Sequence, residues 1–377
     1  MMKKYGQQID WILIAAIIPI VLGGLATMTS FGTQAGFFLR QLMWISVTAI
    51  VVILIARSDM RFLRDSRYIT LFYIGSLVLL LLVLVVGTTV KGAKSWFSFG
   101  GFFSFEPADI VKLLVIMVLA KYFSRRHVEI ARVKHLLVSA SYALLPIALI
   151  MLQPDFGSAM VIAGLWLGMA LIAGISKRQI LLIAGGIIVL FSFAWLFVFK
   201  PYQKARINTF INPTADIRGR GYNAYQSVIA VGSGGILGKG LGYGTQSRLN
   251  YLPEYQTDFI FAAFVEEWGF IGGLIVIACF VIILWRIILH ARRGASNFET
   301  LFCAGYALLL FGHVIVNIGM NIGIMPVTGI PLPFMSYGGS HLLAEGIGLG
   351  IILSMARYER AMHPDDINNE FLGYAQS

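Results

Sequence analysis

Long apolar runs recur along this chain at about 11–30, 39–56, 69–88, 107–122, 136–152, 157–175, 179–199, 260–288, 299–319 and 340–356. Most approach the ~20 residues that cross a bilayer as a helix, and the fourth and fifth are short, which a thinned bilayer could accommodate. Lipid cannot satisfy backbone N–H and C=O groups, so such runs must satisfy their own, which the α-helix does. A membrane β-barrel would alternate apolar and polar side chains along short strands, and these runs are continuous. The expected fold is an all-α integral membrane protein of ten transmembrane helices, with a large outer loop between the seventh and eighth. Composition agrees: 58% of residues are apolar and 12% charged, with a mean hydropathy of +0.80. That charged share is about half of a soluble domain's.

Orientation follows from the basic residues. With the N-terminus cytoplasmic, the inner loops carry Lys3 and Lys4, then Arg57, Arg61, Arg64 and Arg67. Further inner clusters are Lys121, Arg125, Arg126, Arg132 and Lys134; Lys177 and Arg178; Arg286, Arg292 and Arg293; and Arg357 and Arg360. The short outer loops hold only Arg40, Lys91 and Lys94. This bias places both termini in the cytoplasm. It also accounts for the net charge of +11, because basic loops face anionic lipid, and nucleic acid is not an expected partner. The first run lacks a small-residue cleavage site and reads as a retained helix. Cys279 and Cys303 lie inside apolar runs and read as packing residues.

The outer segment 200–257 is the only extended polar region, and its Tyr, Gln, Asn and Arg content suits a folded cap with short helices. The chain 1–377 therefore reads as a single polytopic membrane domain that includes this loop. At its end, Leu252-Pro253-Glu254-Tyr255-Gln256-Thr257-Asp258-Phe259 runs into an apolar helix. Asp258 is an ionisable group at a membrane boundary, which makes it a candidate functional residue. At a helix start the same carboxylate could instead cap backbone N–H groups. Glu266 and Glu267 lie two turns deeper, and a structural ion pair with Lys or Arg is the preferred reading for at least one of them.

A second constellation is Glu106-Pro107-Ala108-Asp109-Ile110-Val111-Lys112. Proline opens a helix readily, and residues three apart share a helix face. Asp109 and Lys112 are either an internal ion pair or a charged cavity wall facing a polar or phosphate-bearing ligand. In Gln153-Pro154-Asp155-Phe156-Gly157, Asp155 reads as a helix N-cap. The apolar run Met325–Ser340 contains three prolines and three consecutive or spaced glycines, so it reads as a re-entrant or cavity-lining segment. The glycines of 232–240 lack the Gly-Lys-Ser/Thr ending of a phosphate loop and are better suited to a tight backbone approach. No two histidines stand at ligand spacing, so no histidine metal site is expected.

Several of these words, in order, resemble the SEDS polysaccharide polymerases of bacterial wall synthesis. They are Lys91-Gly92-Ala93 with Trp96; Pro107 with Asp109 and Lys112; Gln153-Pro154-Asp155-Phe156-Gly157; and Gly221-Tyr222 with Gln226-Ser227. Further on come Gly232-Ser233-Gly234-Gly235, Leu252-Pro253-Glu254, Thr257-Asp258-Phe259-Ile260-Phe261, and Pro331-Leu332-Pro333 through Ser340. Gly244-Thr245-Gln246-Ser247 resembles the rod-shape-determining, elongation branch of that family. The resemblance implies a peptidoglycan glycosyltransferase that polymerises lipid II at the outer face of the bacterial cytoplasmic membrane and releases undecaprenyl pyrophosphate. Asp258 matches the family's essential aspartate, as general base, as ligand of a divalent cation (Mg or Mn), or both. The resemblance also implies substrate-binding roles for Lys112, Asp109, Lys94, Trp96, Gln153, Ser336 and Tyr337. Asp109 stands where the family usually has glutamate, and His341 where a small or apolar residue is commoner. Implied partners are a class B penicillin-binding protein, acting as transpeptidase, and other membrane proteins of the elongation complex.

Two other classes are compatible with an apolar chain of this kind. A lipid flippase or transporter would carry polar residues through the full membrane depth, usually with repeat symmetry, and neither pattern is visible. A non-catalytic scaffold would not need an acid at the membrane boundary.

Overall fold

The computed structural model describes residues 10–29, 35–90, 93–99, 103–126, 133–198, 204, 210, 221–249 and 251–357. Its helices are α1 (Trp11–Thr29), α2 (Ala35–Arg57), α3 (Ser66–Val86), α4 (Pro107–Arg126), α5 (Val133–Leu152), α6 (Phe156–Ile172) and α7 (Lys177–Phe193). They continue as α8 (Tyr222–Ser233), α9 (Thr245–Arg248), α10 (Ile260–Arg292), α11 (Asn297–Asn321) and α12 (Gly339–Ala356). Among the described residues, eight helices are long and apolar enough to cross a membrane: α1, α2, α3, α5, α7, α10, α11 and α12. Of the two other apolar runs, α6 is shorter and α4 carries Asp109, Lys112, Lys121, Arg125 and Arg126.

Local sequence sets several helix starts. Asp65 caps α3 by accepting from the Arg67 backbone N–H at 3.0 Å. Ser296 accepts from Glu299 N–H at 3.4 Å while the Glu299 carboxylate reaches back to Ala295 N–H at 2.9 Å, a variant of the reciprocal Ser-x-x-Glu cap. The core is a large apolar cluster in which α4, α10, α11 and α12 contribute most of the fully enclosed side chains, with a smaller cluster of Ala230, Leu252, Tyr255, Phe259, Ala262 and Ala263 beside it. By contrast, Gln179 is the only buried side chain among those described in α7, so this helix stands at the periphery.

Between α3 and α4 the chain departs from the all-α expectation. Strands β1 (Thr88–Val90), β2 (Ala93–Phe99) and β3 (Phe103–Phe105) form a small antiparallel sheet in the order β1-β2-β3. Phe97 pairs with Phe105, Ser98 with Ser104 and Phe99 with Phe103, while Thr88 pairs with Trp96. Aromatic side chains alternating with serine suit a pleated, half-buried ribbon, and the segment is too short to span lipid.

Of the outer segment 200–257, α8, a glycine turn and α9 are described, whereas 200–203, 205–209, 211–220 and 250 lie outside the described residues. Lys3, Lys4, Lys91, Gly92, Arg132 and Arg360 lie outside them too. The glycine turn enters a break in α10, where Gly269 adopts φ 70°, ψ −171°. Lys239 N–H donates to Glu266 O and Phe270 N–H to Gly235 O, so the two chains satisfy each other's broken backbone. A Cβ on Gly238 would stand 2.1 Å from Glu267 O, so the approach requires glycine there. Glu266, fully enclosed, forms the expected ion pair with Lys239 at 2.8 Å and also accepts from Gln246 N–H at 3.0 Å.

Candidate active site

Asp258 lies just before α10, but it is not the cap of that helix. The N-cap position is Phe259, and no side-chain hydrogen bond caps it. The backbone around Asp258 is instead held from two other elements. Asn317 and Asn321 of α11 each donate an amide N–H to Asp258 O, at 3.0 and 3.1 Å. From the segment before α12, Ser336 Oγ donates to Thr257 O at 2.7 Å and Tyr337 N–H to Gln256 O at 2.8 Å. The 325–340 run is non-helical up to α12 and wraps this turn, as a cavity-lining segment should. Gly329, at φ 78°, passes so near that a Cβ there would stand 3.7 Å from Asp258 Oδ2.

Asp258 opens on a cavity of about 550 Å³. Lys112 and Asp109 line the same cavity from the first turns of α4, Trp96 and Ser95 from β2, and Tyr337 and His341 from around the start of α12. Residues 146 positions apart in sequence, Lys112 and Asp258, thus share one chamber because α4 runs through the centre of the bundle. Lys112 and Asp109 are both an ion pair and a cavity wall. Nζ stands 3.1 Å from Asp109 Oδ1, both side chains are about 95% enclosed, and Ser340 Oγ donates to Asp109 Oδ2 at 3.0 Å. The choice that the sequence left open is therefore not exclusive.

Three of the expected substrate-binding residues point elsewhere. Lys94 Nζ donates to Val85 O at 2.9 Å, Gln153 Nε2 donates to Leu80 O at 3.0 Å, and neither lines the cavity. Ser336 is buried and spends its hydroxyl on Thr257 O and the Leu332 N–H, so it positions the Asp258 turn from behind. Conversely, Glu106, Asp155, Ser340 and His341 line the cavity without having been singled out as ligands. Asn317 and Asn321 were missed altogether. Their signal was two asparagines one turn apart inside an apolar helix, which calls for buried polar partners.

Asp155 caps α6, accepting from Ser158 N–H at 3.0 Å through Oδ1, as expected. Its Oδ2 is buried with no hydrogen-bond partner among the described residues. With Asp258 on the same cavity, this gives carboxylate oxygens of the type Mg²⁺ and Mn²⁺ prefer, so the donor set fits a hard divalent cation.

Glu106 precedes α4, and burial pushes its carboxyl well above the ordinary carboxylate range; Asp109 and Asp155 push the same way and Lys112 opposes. A raised folded-state value means that ionisation disfavours the fold. The protonated form contributes its full stability below the unfolded value near 4.5, and this is lost as pH rises towards the folded value. Glu106→Gln is therefore expected to match the parent protein in thermal stability at acidic pH and to exceed it increasingly from about pH 5 upward. Unfolding midpoints across pH measure this, and parallel curves for the two proteins would refute it.

The model of the cell cycle protein family FtsW/RodA/SpoVE matches residues 7–361. The chain belongs to this SEDS family. Among SEDS relatives, the peptidoglycan glycosyltransferase MrdB of Escherichia coli K12 is 34% identical over 354 residues, 93% of this chain and 94% of that protein. Stage V sporulation protein E of Bacillus subtilis is 34% identical over 93% of this chain and 96% of its own length. A chain of a solved peptidoglycan synthase complex, described as coordinating polymerization and crosslinking, superposes with a TM-score of 0.80 at 30% identity, covering 95% of this chain and 99% of that one. The rod shape determining protein RodA of Thermus thermophilus superposes at 0.70 with 29% identity, covering 95% of this chain and 98% of that one.

Proposed function

We propose that this chain is a peptidoglycan glycosyltransferase, a RodA-like enzyme that polymerises lipid II into glycan strands during cell-wall elongation. The observation that carries the reading is the shared cavity of Asp258 and Lys112, in a chain whose relatives carry that activity in their names. Asp258 takes the proton of the acceptor sugar hydroxyl as its oxygen bonds to the donor's anomeric carbon. The bond from that carbon to the pyrophosphate oxygen breaks, and undecaprenyl pyrophosphate leaves with the electron pair. Lys112, paired with Asp109, meets the growing negative charge on the leaving group as a point cation. Trp96 and Tyr337, which line the cavity, offer flat faces for sugar rings. A Mg²⁺ or Mn²⁺ ion held by Asp258, with Asp155 near, would supply further charge neutralisation at the pyrophosphate.

In this reading the chain is a single membrane domain of ten spans, with α4 and α6 joining the eight longer apolar helices. The basic clusters support a bacterial cytoplasmic-membrane location with both termini inside and the cavity on the outer face. The loop between α7 and α10 would then be the large outer loop. A class B penicillin-binding protein is the expected partner, because a polymerase of this kind makes no peptide crosslinks itself. The solved complex that couples polymerization to crosslinking supports this expectation.

The test is a gel assay of labelled lipid II with the purified chain in detergent, with and without a partner transpeptidase and a divalent cation. A ladder of glycan strands is expected. No ladder under any condition, from folded protein with its partner, would move the reading to lipid transport or scaffolding.

A further inference from the structure

At the cavity wall, three buried side chains from two helices converge. His313 comes from α11, while His341 and Glu345 lie one turn apart on α12. One ligand atom from each lies within 4.8 Å of the others. His313 is 1% exposed, and neither of its ring nitrogens has a hydrogen-bond partner among the described residues. His341 Nε2 and Glu345 Oε1 stand 2.8 Å apart, but neither makes an aligned hydrogen bond among the described residues. Four polar atoms without an aligned hydrogen bond in one enclosed spot are unusual, since buried polar groups are normally satisfied. An ion pair between His341 and Glu345 would explain two of them and leave His313 unexplained.

The surroundings are those of a built metal site. His341 presents its other nitrogen, Nδ1, to Asp109 Oδ1 at 3.5 Å, the carboxylate–histidine arrangement that orients an imidazole for a metal. The second oxygen of Glu345, Oε2, accepts from Phe334 N–H at 2.9 Å, which leaves Oε1 directed at the histidines. Asp109 stands between His341 and the Lys112 ammonium, so the nearest fixed cation is already neutralised. Two imidazoles and one carboxylate form a donor set typical of zinc with one position left for water. Ligand atoms around a tetrahedral ion at ~2.0–2.1 Å stand roughly 3.3 Å apart, so His341 and Glu345, now 2.8 Å apart, need to part slightly.

We propose that His313, His341 and Glu345 form a binding site for a zinc-type divalent cation, distinct from any ion held at Asp258. The proposal stands whether or not the chain polymerises lipid II, because its readout is binding.

Full-length protein in detergent, stripped with a chelator, is titrated with Co²⁺ as the spectroscopic stand-in for Zn²⁺. One equivalent is expected to give the visible absorption of a tetrahedral site, bleached by Zn²⁺. His313→Gln and Glu345→Gln are expected to lose that absorption, and Asp258→Ala to keep it. X-ray absorption of the Co²⁺-loaded parent protein, which needs no variant to fold, is expected to count two imidazole ligands. No visible absorption, a count below two imidazoles, or retention in His313→Gln with loss in Asp258→Ala would each overturn the assignment.

Discussion

Asp258→Ala is expected to abolish the glycan-strand ladder while the protein remains folded and membrane-inserted. Positioned general acid–base groups contribute ~10²–10⁴-fold, so the rate of strand synthesis should fall at least about a hundredfold. The fold should survive because what anchors the turn is the Asp258 backbone oxygen, bonded to Asn317 and Asn321, and not its carboxylate as a helix cap. Asp258→Asn keeps the volume and removes only the charge, and should be nearly as inactive. Unfolding midpoints beside the lipid II gel assay separate the two effects. Strand synthesis at the normal rate in Asp258→Ala would remove this residue from the mechanism, and a collapsed midpoint would make its role structural.

Lys112→Met should lower stability as well as activity. Breaking one partner from a buried ion pair costs about 3–5 kcal/mol, because the remaining charge is left enclosed. Asp109 keeps the Ser340 hydroxyl and the neighbouring His341, which places the expected loss near the lower end, about 3 kcal/mol. The double variant Lys112→Met/Asp109→Leu has no stranded charge and should regain most of that stability, since well-packed apolar replacements of buried pairs are often neutral. It should not regain strand synthesis, because the cavity then lacks its cation beside the leaving group. Midpoints and gel assays on the three proteins decide the matter. A double variant that polymerises normally would show that the lysine serves the fold alone.

The membrane class and the candidate acid were both legible in one dimension. Continuous apolar runs leave the backbone no other way to satisfy itself, and an acid at the edge of such a run is conspicuous because charge is scarce there. Asp109 and Lys112 were equally visible, because helix periodicity places residues three apart on one face. Direction was not visible. Lys94 and Gln153 sit in motifs beside the cavity, yet each turns its nitrogen to a backbone carbonyl of α3. The sheet at 88–105 was missed because its short pleated ribbon lacks the long hydrophobic signal that the spans carry.

The sequence by itself determined the bundle of apolar helices, the glycine turn that needs a bare backbone, and the charged residues available for a site. These follow from local rules: span length, helix period and backbone sterics. Only the tertiary structure decided which charges meet. Asp258 shares a cavity with Lys112 because α4 packs at the centre of the bundle against α11 and α12, and His313 reaches Glu345 because α11 packs beside α12. Such meetings depend on helix packing across long stretches of chain, and no spacing within one segment encodes them.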